Sequence, residues 1–409
     1  MGSQAAIANA TNGEGIRTFQ PVRTSPFAPW PEFEPDEIDA VRQVLTSGKV
    51  NYWTGQEGRL FEEEYAAFVG VRYAVAVSNG TVALELALKA LDIGTGDEVI
   101  VPSRTFLATA SCVAMVGATP VFADIDHESQ NITAETILPL ITQRTRAIIV
   151  VHLAGWPCEM DPILELARHH NLKVIEDCAQ AHGAKYKGRQ VGAMGHIGAF
   201  SFCQDKIMTT GGEGGMITTN NEDLWKRAWS IKDHGKSYDA VYDRQHPPGF
   251  RWLHESIGTN WRLTEMQSAL GRVLLRKLPK RVQLRRSNAN RLNGLFAGDS
   301  AIRLTIPPKP VFHAYYKYYL FLQMAALEAN RQTIIQEVNR EGIPCFSGTC
   351  SEIYLEEAIP KLWRPKVRHE VAKELGDTSL MFLVHHTLTE ADMTDTYLAV
   401  TKVLNRYRR

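Results

Sequence analysis

At 409 residues the chain exceeds what one compact core usually organises and is expected to divide into two domains that share an interface. Lys+Arg and Asp+Glu both number 45, so no net field draws the protein to nucleic acid or to an anionic membrane. The six cysteines (Cys112, Cys158, Cys178, Cys203, Cys345, Cys350) show neither a C-x-x-C pair nor a zinc spacing with histidine, which predicts reduced thiols, a cytoplasmic setting and no metal centre.

Residues 1–20 lack the basic and apolar regions of a secretory signal and read as a loosely ordered arm. Residues 36–46 place Ile38, Val41 and Leu45 near helical spacing with Gly48 as a stop, and 60–69 form a second amphipathic helix ending at Gly70. A strand at 73–77, a helix at 81–91, a strand at 98–101 and a helix at 105–116 come next. Strands at 120–123, 147–152 and 172–176 follow, separated by helices at 134–141 and 162–169. The apolar run 147–151 is strand-length, far below the ~20 residues of a membrane span. Strands alternating with helices predict parallel βαβ units with right-handed crossovers and a sheet covered on both faces.

Segments 197–202 and 215–219 lie too close together for a crossover helix and read as a strand pair on the far side of the sheet. Residues 238–252, aromatic and charged with Pro247-Pro248-Gly249, predict a long exposed excursion of the kind that often binds. After Trp261 the pattern changes to helices at 263–278 and 280–295, strands at 315–324 and 342–346, and helices at 327–341, 370–375 and 390–404. The expected division is a large domain over 21–262 and a smaller α+β domain over 263–409.

Three parts of the chain carry chemistry. Ser78-Asn79-Gly80-Thr81 joins a strand to a helix, where free N–H groups and the positive helix end suit an anion and Gly80 lets it approach the backbone. Taken alone, such a segment is commonly a mere turn. Asp177 ends the strand Val174-Ile175-Glu176-Asp177 at the carboxyl edge, where ligands bind in open α/β sheets. Its plainer alternative is a helix cap. Lys206 leaves the apolar run 197–202 and leads into Gly211-Gly212-Glu213-Gly214-Gly215, which a surface lysine does not explain. A reactive amine, a buried acid and a phosphate-sized anion site are the parts that pyridoxal phosphate requires.

These blocks, together with Asn51-Tyr52-Trp53-Thr54-Gly55, Pro102-Ser103-Arg104-Thr105-Phe106, Val151-His152-Leu153-Ala154-Gly155, Asp233-His234-Gly235 and Gly258-Thr259-Asn260-Trp261-Arg262, resemble the DegT/DnrJ/StrS family of sugar aminotransferases. The resemblance runs from about residue 46 to the C-terminus. It implies the aspartate aminotransferase (type I) fold of pyridoxal-phosphate enzymes: an α/β large domain with a mostly parallel seven-stranded sheet and a smaller α+β C-terminal domain.

The resemblance also implies roles. Lys206 is the Schiff-base lysine and proton carrier, Asp177 the partner of the pyridine nitrogen, and Gln180 the neighbour of the ring hydroxyl. Phe106 stacks on the ring, Gly80 and Thr81 give N–H groups to the phosphate, and Ser201 adds a hydroxyl. Asn260 reaches the phosphate of a neighbouring subunit, so a homodimer with shared sites is implied; the alternative is that Asn260 caps its own next helix. Trp252 and Trp261 fall at the implied interface. Tyr52, Trp53, His234 and Arg262 are implied to line the substrate region. Tyr315 and Tyr316 are candidates for the nucleotide side, with packing the plainer reading, and His152 and His182 are candidate cofactor contacts.

The implied reaction takes an amino group from L-glutamate, converts pyridoxal 5'-phosphate to pyridoxamine 5'-phosphate, and passes the amine to a nucleotide-linked keto-sugar. The implied acceptor is a 4-keto-6-deoxyhexose, with a 3-keto-sugar as the alternative, and the product would enter O-antigen lipopolysaccharide, another surface polysaccharide or a glycosylated natural product. Members with dehydratase chemistry carry histidine at the lysine position, so Lys206 favours transamination. The competing class, a non-catalytic regulator on the same fold, leaves Lys206, Asp177 and the phosphate turn without a use. One departure from the family stands at Leu383-Val384-His385-His386-Thr387-Leu388-Thr389, where a proline-containing Leu-Pro run is usual.

Overall fold

The computed structural model describes residues 19–409, so nearly all of the expected N-terminal arm lies outside the described residues. Strands β1 (Tyr73–Val77), β2 (Glu98–Pro102), β3 (Thr119–Ala123), β4 (Thr145–Val151) and β5 (Lys173–Asp177) come first. The short strands β6 (Lys185–Tyr186) and β7 (Arg189–Gln190) precede β8 (Ile197–Ser201) and β9 (Gly215–Thr219). The main sheet has seven strands in the order β1-β9-β8-β5-β4-β2-β3. Only β9 runs against the rest, because the connection from β8 is too short to hold a crossover. The β8–β9 pair is interior rather than at the far side, since β1 returns to close that edge.

Residues of β2, β8 and β9 are buried on both faces, which is why β2 and β8 read as largely apolar runs, while β9 buries Thr218 and Thr219 with their hydroxyls donating to the carbonyls of Gly192 and His196. Alternation still sorts the side chains: in β1, Ala74 and Ala76 enter one core layer while Val75 and Val77 enter the other. Along β5, Val174 and Ile175 divide in the same way. Glu176 and Asp177 therefore leave the strand on opposite faces, and this decides their different roles.

The smaller sheet is antiparallel, built from β10 (Ile302–Leu304), β12 (Tyr318–Leu322), β13 (Cys345–Phe346) and β14 (Ser379–Phe382) in the order β10-β12-β14-β13. A two-residue strand β11 (Val311–Phe312) pairs with β6. The strand expected at 315–324 starts only at Tyr318, because Tyr315 sits in the left-handed region with φ 49°. The two helices expected at 263–278 and 280–295 are one helix, Glu265–Phe296, running through Pro279. Proline removes one backbone donor, but Leu275, Leu278 and Val282 on either side are buried in the main core and hold the helix continuous. Farther on, Ala289, Leu292 and Phe296 of the same helix enter the core of the small sheet. The helix thus serves both cores across the expected boundary at 262/263. Near the start of the described chain, Val22 and Phe27 also pack on the small-sheet core, and Arg23 pairs with Asp392.

The expected excursion holds a short helix, Tyr238–Tyr242, then an irregular loop on which Trp252 is 89% exposed. Among the described residues no helix is long and apolar enough to cross a membrane.

Candidate active site

The carboxyl ends of β1, β5 and β8 meet above the main sheet. After β1, Asn79 caps the helix Gly80–Ala90, its Oδ1 accepting from Val82 N at 2.9 Å. A Cβ on Gly80 would stand 2.5 Å from Ser201 Cβ, and one on Gly215 would stand 2.3 Å from the Asn79 carbonyl oxygen. Two glycines therefore let the turn after β1 lie directly against the ends of β8 and β9. The first-turn N–H groups of Gly80 and Thr81 have no partner within the helix, and the Ser201 hydroxyl stands beside them. This cradle fits a phosphate group by position and by charge.

Asp177 is 5% exposed. Its Oδ2 accepts from Thr109 Oγ1 at 3.0 Å and its Oδ1 from Ala179 N at 3.1 Å. Burial raises its pKa above the usual carboxylate value, against the N–H of Ala179, the Thr109 hydroxyl and the charge of Lys206. A buried acid that keeps only neutral donors in contact is suited to a cationic ring nitrogen. Gln180 is also buried, and its Oε1 accepts from Ala154 N at 2.8 Å, which leaves its amide nitrogen for a ligand. Phe106, by contrast, is 69% exposed, an aromatic face with no packing partner of its own.

Lys206 follows β8 on an irregular turn and is half-buried. Its carbonyl accepts from Trp30 Nε1 at 2.9 Å, and its Nζ lies 5.0 Å from the centroid of the Tyr316 ring. The Tyr316 hydroxyl donates to Asp205. Tyr315 has a packing role, stacked on His313 with centroids 3.8 Å apart.

The two candidate histidines have both ring nitrogens engaged by protein partners. His152 Nδ1 accepts from Cys158 N at 3.0 Å, so Nε2 carries the proton and donates to Glu176 at 3.0 Å. Glu176 further accepts from the N–H groups of Gly192, Met194 and Gly195. Burial alone would raise the Glu176 pKa, but the His152 contact and these N–H groups outweigh it and hold the carboxyl below its usual range. His152, Glu176 and Cys178 each place one donor atom within 4.8 Å of the others. With four hydrogen bonds on its two oxygens, however, the carboxylate has no lone pair to give a metal. His182 is committed too: Nδ1 faces the Tyr65 hydroxyl at 2.8 Å, and Nε2 donates to the Ser201 carbonyl at 2.8 Å. Burial pushes its pKa down to about 4, so it stays neutral.

The residues expected at the substrate region lie in one neighbourhood. Tyr52 is buried with its hydroxyl donating to Glu62 at 3.1 Å and its ring under Lys232 Nζ, so it is a packing residue in this chain. Trp53 is half-buried, with Lys236 Nζ 4.5 Å from its ring and Phe250 against it. Arg262 and Lys236 both donate to Oδ1 of the buried Asp233, each at 2.7 Å. His234 is exposed, with φ 60°. Asn260 is exposed as well, and the cap of the following helix is Thr264, which accepts from Gln267 N at 3.3 Å. Asn260 is thus not the helix cap. Sequence reading missed Thr109, Trp30 and Lys317; Thr109 alone had a local signal, falling three residues after Phe106 on the next helix.

A mostly parallel seven-stranded sheet with a lysine, a buried acid and a phosphate cradle at its carboxyl edge defines a pyridoxal-phosphate enzyme of the type I fold. The chain matches the DegT/DnrJ/EryC1/StrS aminotransferase family over residues 31–400, and it belongs to that family as a pyridoxal-phosphate-dependent aminotransferase. It is 36% identical over 391 residues to a GDP-perosamine synthase of Caulobacter vibrioides, covering 91% of this chain and 97% of the relative. With an L-glutamine:2-deoxy-scyllo-inosose aminotransferase of Streptomyces fradiae it shares 38% identity over 322 residues, 76% of this chain and 75% of that one. The solved aminotransferase from Psychrobacter cryohalolentis superposes with a TM-score of 0.91 at 55% identity, over 93% of this chain and 99% of that chain.

Proposed function

We propose that the protein moves an amino group from L-glutamate to a nucleotide-linked keto-sugar, with a 4-keto-6-deoxyhexose as acceptor. The observation that carries this reading is the approach of Ser201 to Gly80 beside a buried Asp177 whose hydrogen bonds come from neutral donors, with Lys206 on the same edge. Similarity to a GDP-perosamine synthase supports the nucleotide-sugar class. A 3-keto-sugar is the alternative acceptor.

When bound, the cofactor supplies an electron sink for a substrate carbanion. The chain's residues do the rest. Gly80, Thr81 and Ser201 hold the phosphate, Asp177 keeps the ring nitrogen protonated, and Gln180 fixes the ring hydroxyl. Phe106 covers one ring face. Lys206 would hold the cofactor through its amine, and that amine, when free, would take and return the proton at the substrate carbon. In this reading Asn260 serves the partner's phosphate in a cytoplasmic homodimer, and Trp53, His234 and Arg262 border the substrate. Large and small domains meet near residue 262, and the product feeds a surface polysaccharide or a glycoside.

The test is spectroscopic and then preparative. Purified holoenzyme should lose its visible absorbance band on addition of L-glutamate. Single turnover of that form with GDP-, UDP- and dTDP-linked 4-keto- and 3-keto-sugars should restore the band with one class. Restoration by none of them overturns the acceptor assignment.

A further inference from the structure

Beside Lys206 the structure gathers positive charge with little to balance it. Lys317 Nζ lies 4.7 Å from the centroid of the same Tyr316 ring that Lys206 approaches at 5.0 Å. Behind it is Arg285, a fully buried guanidinium. Among the described residues its only hydrogen bond is from one terminal nitrogen to the Tyr316 carbonyl at 3.2 Å, and its Nε and second terminal nitrogen have no partner. His386 Nδ1, packed edge-on against Trp30, is a further buried polar atom without a partner. Among the described residues the carboxylate that pairs with Lys317 is Asp205, which is half-exposed, takes the Tyr316 hydroxyl, and stands 3.8 Å from Lys317, while Asp392 acts on His385.

The physical cost of this arrangement is visible in its members. Burial, with Arg285 and Lys206 opposing and Asp205 only partly compensating, pushes the Lys317 ammonium down to about 8. Burial likewise lowers Arg285 to about 10, and burial with the Arg285 charge lowers His385 and His386 to about 3. Desolvated cations that repel one another are costly unless an anion joins them. There is room for one. A cavity of about 490 Å³ is lined by Lys317, His385 and Asp205 together with Pro29, Trp30 and Ile343.

We infer that Lys317, backed by the charge of Arg285, is the recognition point for a carboxylate of the amino donor. The placement suits that role. Lys206 and Lys317 approach one tyrosine ring, so a small amino acid can present its amine to the first and a carboxylate to the second. Lys317 is a compact, rotatable donor at the edge of an open cavity, and Arg285 adds field without needing contact. This inference rests on the proposed function only in requiring a donor that bears a carboxylate. A carboxylate common to glutamate and glutamine satisfies it as well as the side-chain carboxylate of glutamate alone.

The holoenzyme tests it with glutarate, a dicarboxylate that has no amine to transfer. Calorimetric titration should show glutarate binding to the wild type, roughly tenfold to a hundredfold weaker binding in Lys317→Met, and recovery in Lys317→Arg, as loss and return of a charge-assisted bond require. In the half-reaction the glutamate concentration giving half the limiting rate should rise by a similar factor, with the limiting rate itself changed far less. Equal glutarate binding by wild type and Lys317→Met, or none by the wild type, overturns the inference. Failure of the donor reading looks different: glutarate binding depends on Lys317, but L-glutamate leaves the wild-type absorbance band unchanged.

Discussion

His182 donates its Nε2–H to the carbonyl of Ser201 across 2.8 Å, from the side of the strand opposite the phosphate cradle. With Tyr65 on its other nitrogen and Phe202 stacked on its ring, the imidazole is a fixed neutral wedge behind the end of β8. Its folded pKa, about 4, lies below the ordinary 6.5. As pH falls the unfolded chain takes up this proton first. The stability gained from a neutral His182 is therefore complete above pH 6.5 and is lost as pH drops toward 4, by about 3 kcal/mol at most. Urea unfolding at pH 7.5 and pH 4.5 should show a larger drop for the wild type than for His182→Gln. Equal drops would mean that His182 does not resist protonation.

The close approach of Gly80 to Ser201 gives a second expectation. In Gly80→Ala the new methyl meets Ser201 Cβ at 2.5 Å, and Ser201 is backbone-anchored in a central strand and cannot yield. The cradle must open, so pyridoxal phosphate should bind at least tenfold more weakly, the loss of about one hydrogen bond to a charged group. The fold should be retained, since the helix keeps its Asn79 cap. Equilibrium dialysis of the cofactor with far-UV circular dichroism checks both parts.

Asp177→Asn should keep the cofactor and lose rate. Asparagine can still accept from Ala179 N through its oxygen, and its NH2 can donate to the Thr109 hydroxyl in place of the bond that Asp177 accepts, but it no longer holds a positive ring nitrogen. Removing such a preorganised charge costs roughly a hundredfold or more in kcat. Lys206→Ala, which removes the nucleophile and proton carrier together, should lose several orders of magnitude beyond that. Asp124 offers no substitute acid, since it caps the helix Glu370–Thr378 through the N–H groups of Val371 and Ala372. Stopped-flow half-reactions with glutamate, with bound cofactor counted by absorbance, separate the two variants.

The fourth prediction concerns assembly. Asn260 is exposed and is not the cap of its own following helix, and Trp252 and Ile257 nearby are 89% and 96% exposed. If Asn260 serves the partner's phosphate, mixing inactive Lys206→Ala with inactive Asn260→Ala subunits should restore part of the activity, because hybrid dimers contain one intact site. An inactive mixture, with subunit exchange demonstrated, rejects the shared site.

Much of this protein was legible in its sequence because the signals are local. Burial on both faces makes β2 and β8 largely apolar, and a short glycine-rich connection forbids a crossover, so the β8–β9 strand pair could be read directly, though not its interior place in the sheet. The phosphate turn, Asp177 and Lys206 announce themselves by residue type within a few positions of a strand end. Tertiary structure alone decided what surrounds them. Alternation along β5 sends Glu176 into a hydrogen-bonded clasp and Asp177 to the opposite face beside Thr109, yet only the folded structure shows that His152 belongs to the first. Trp30 and Lys206 meet across 176 positions, and Asp205 and Tyr316 across 111. No periodicity spans such separations. The desolvation that leaves Lys317 and Arg285 short of an anion likewise exists only once both cores have closed around Glu265–Phe296, the helix they share.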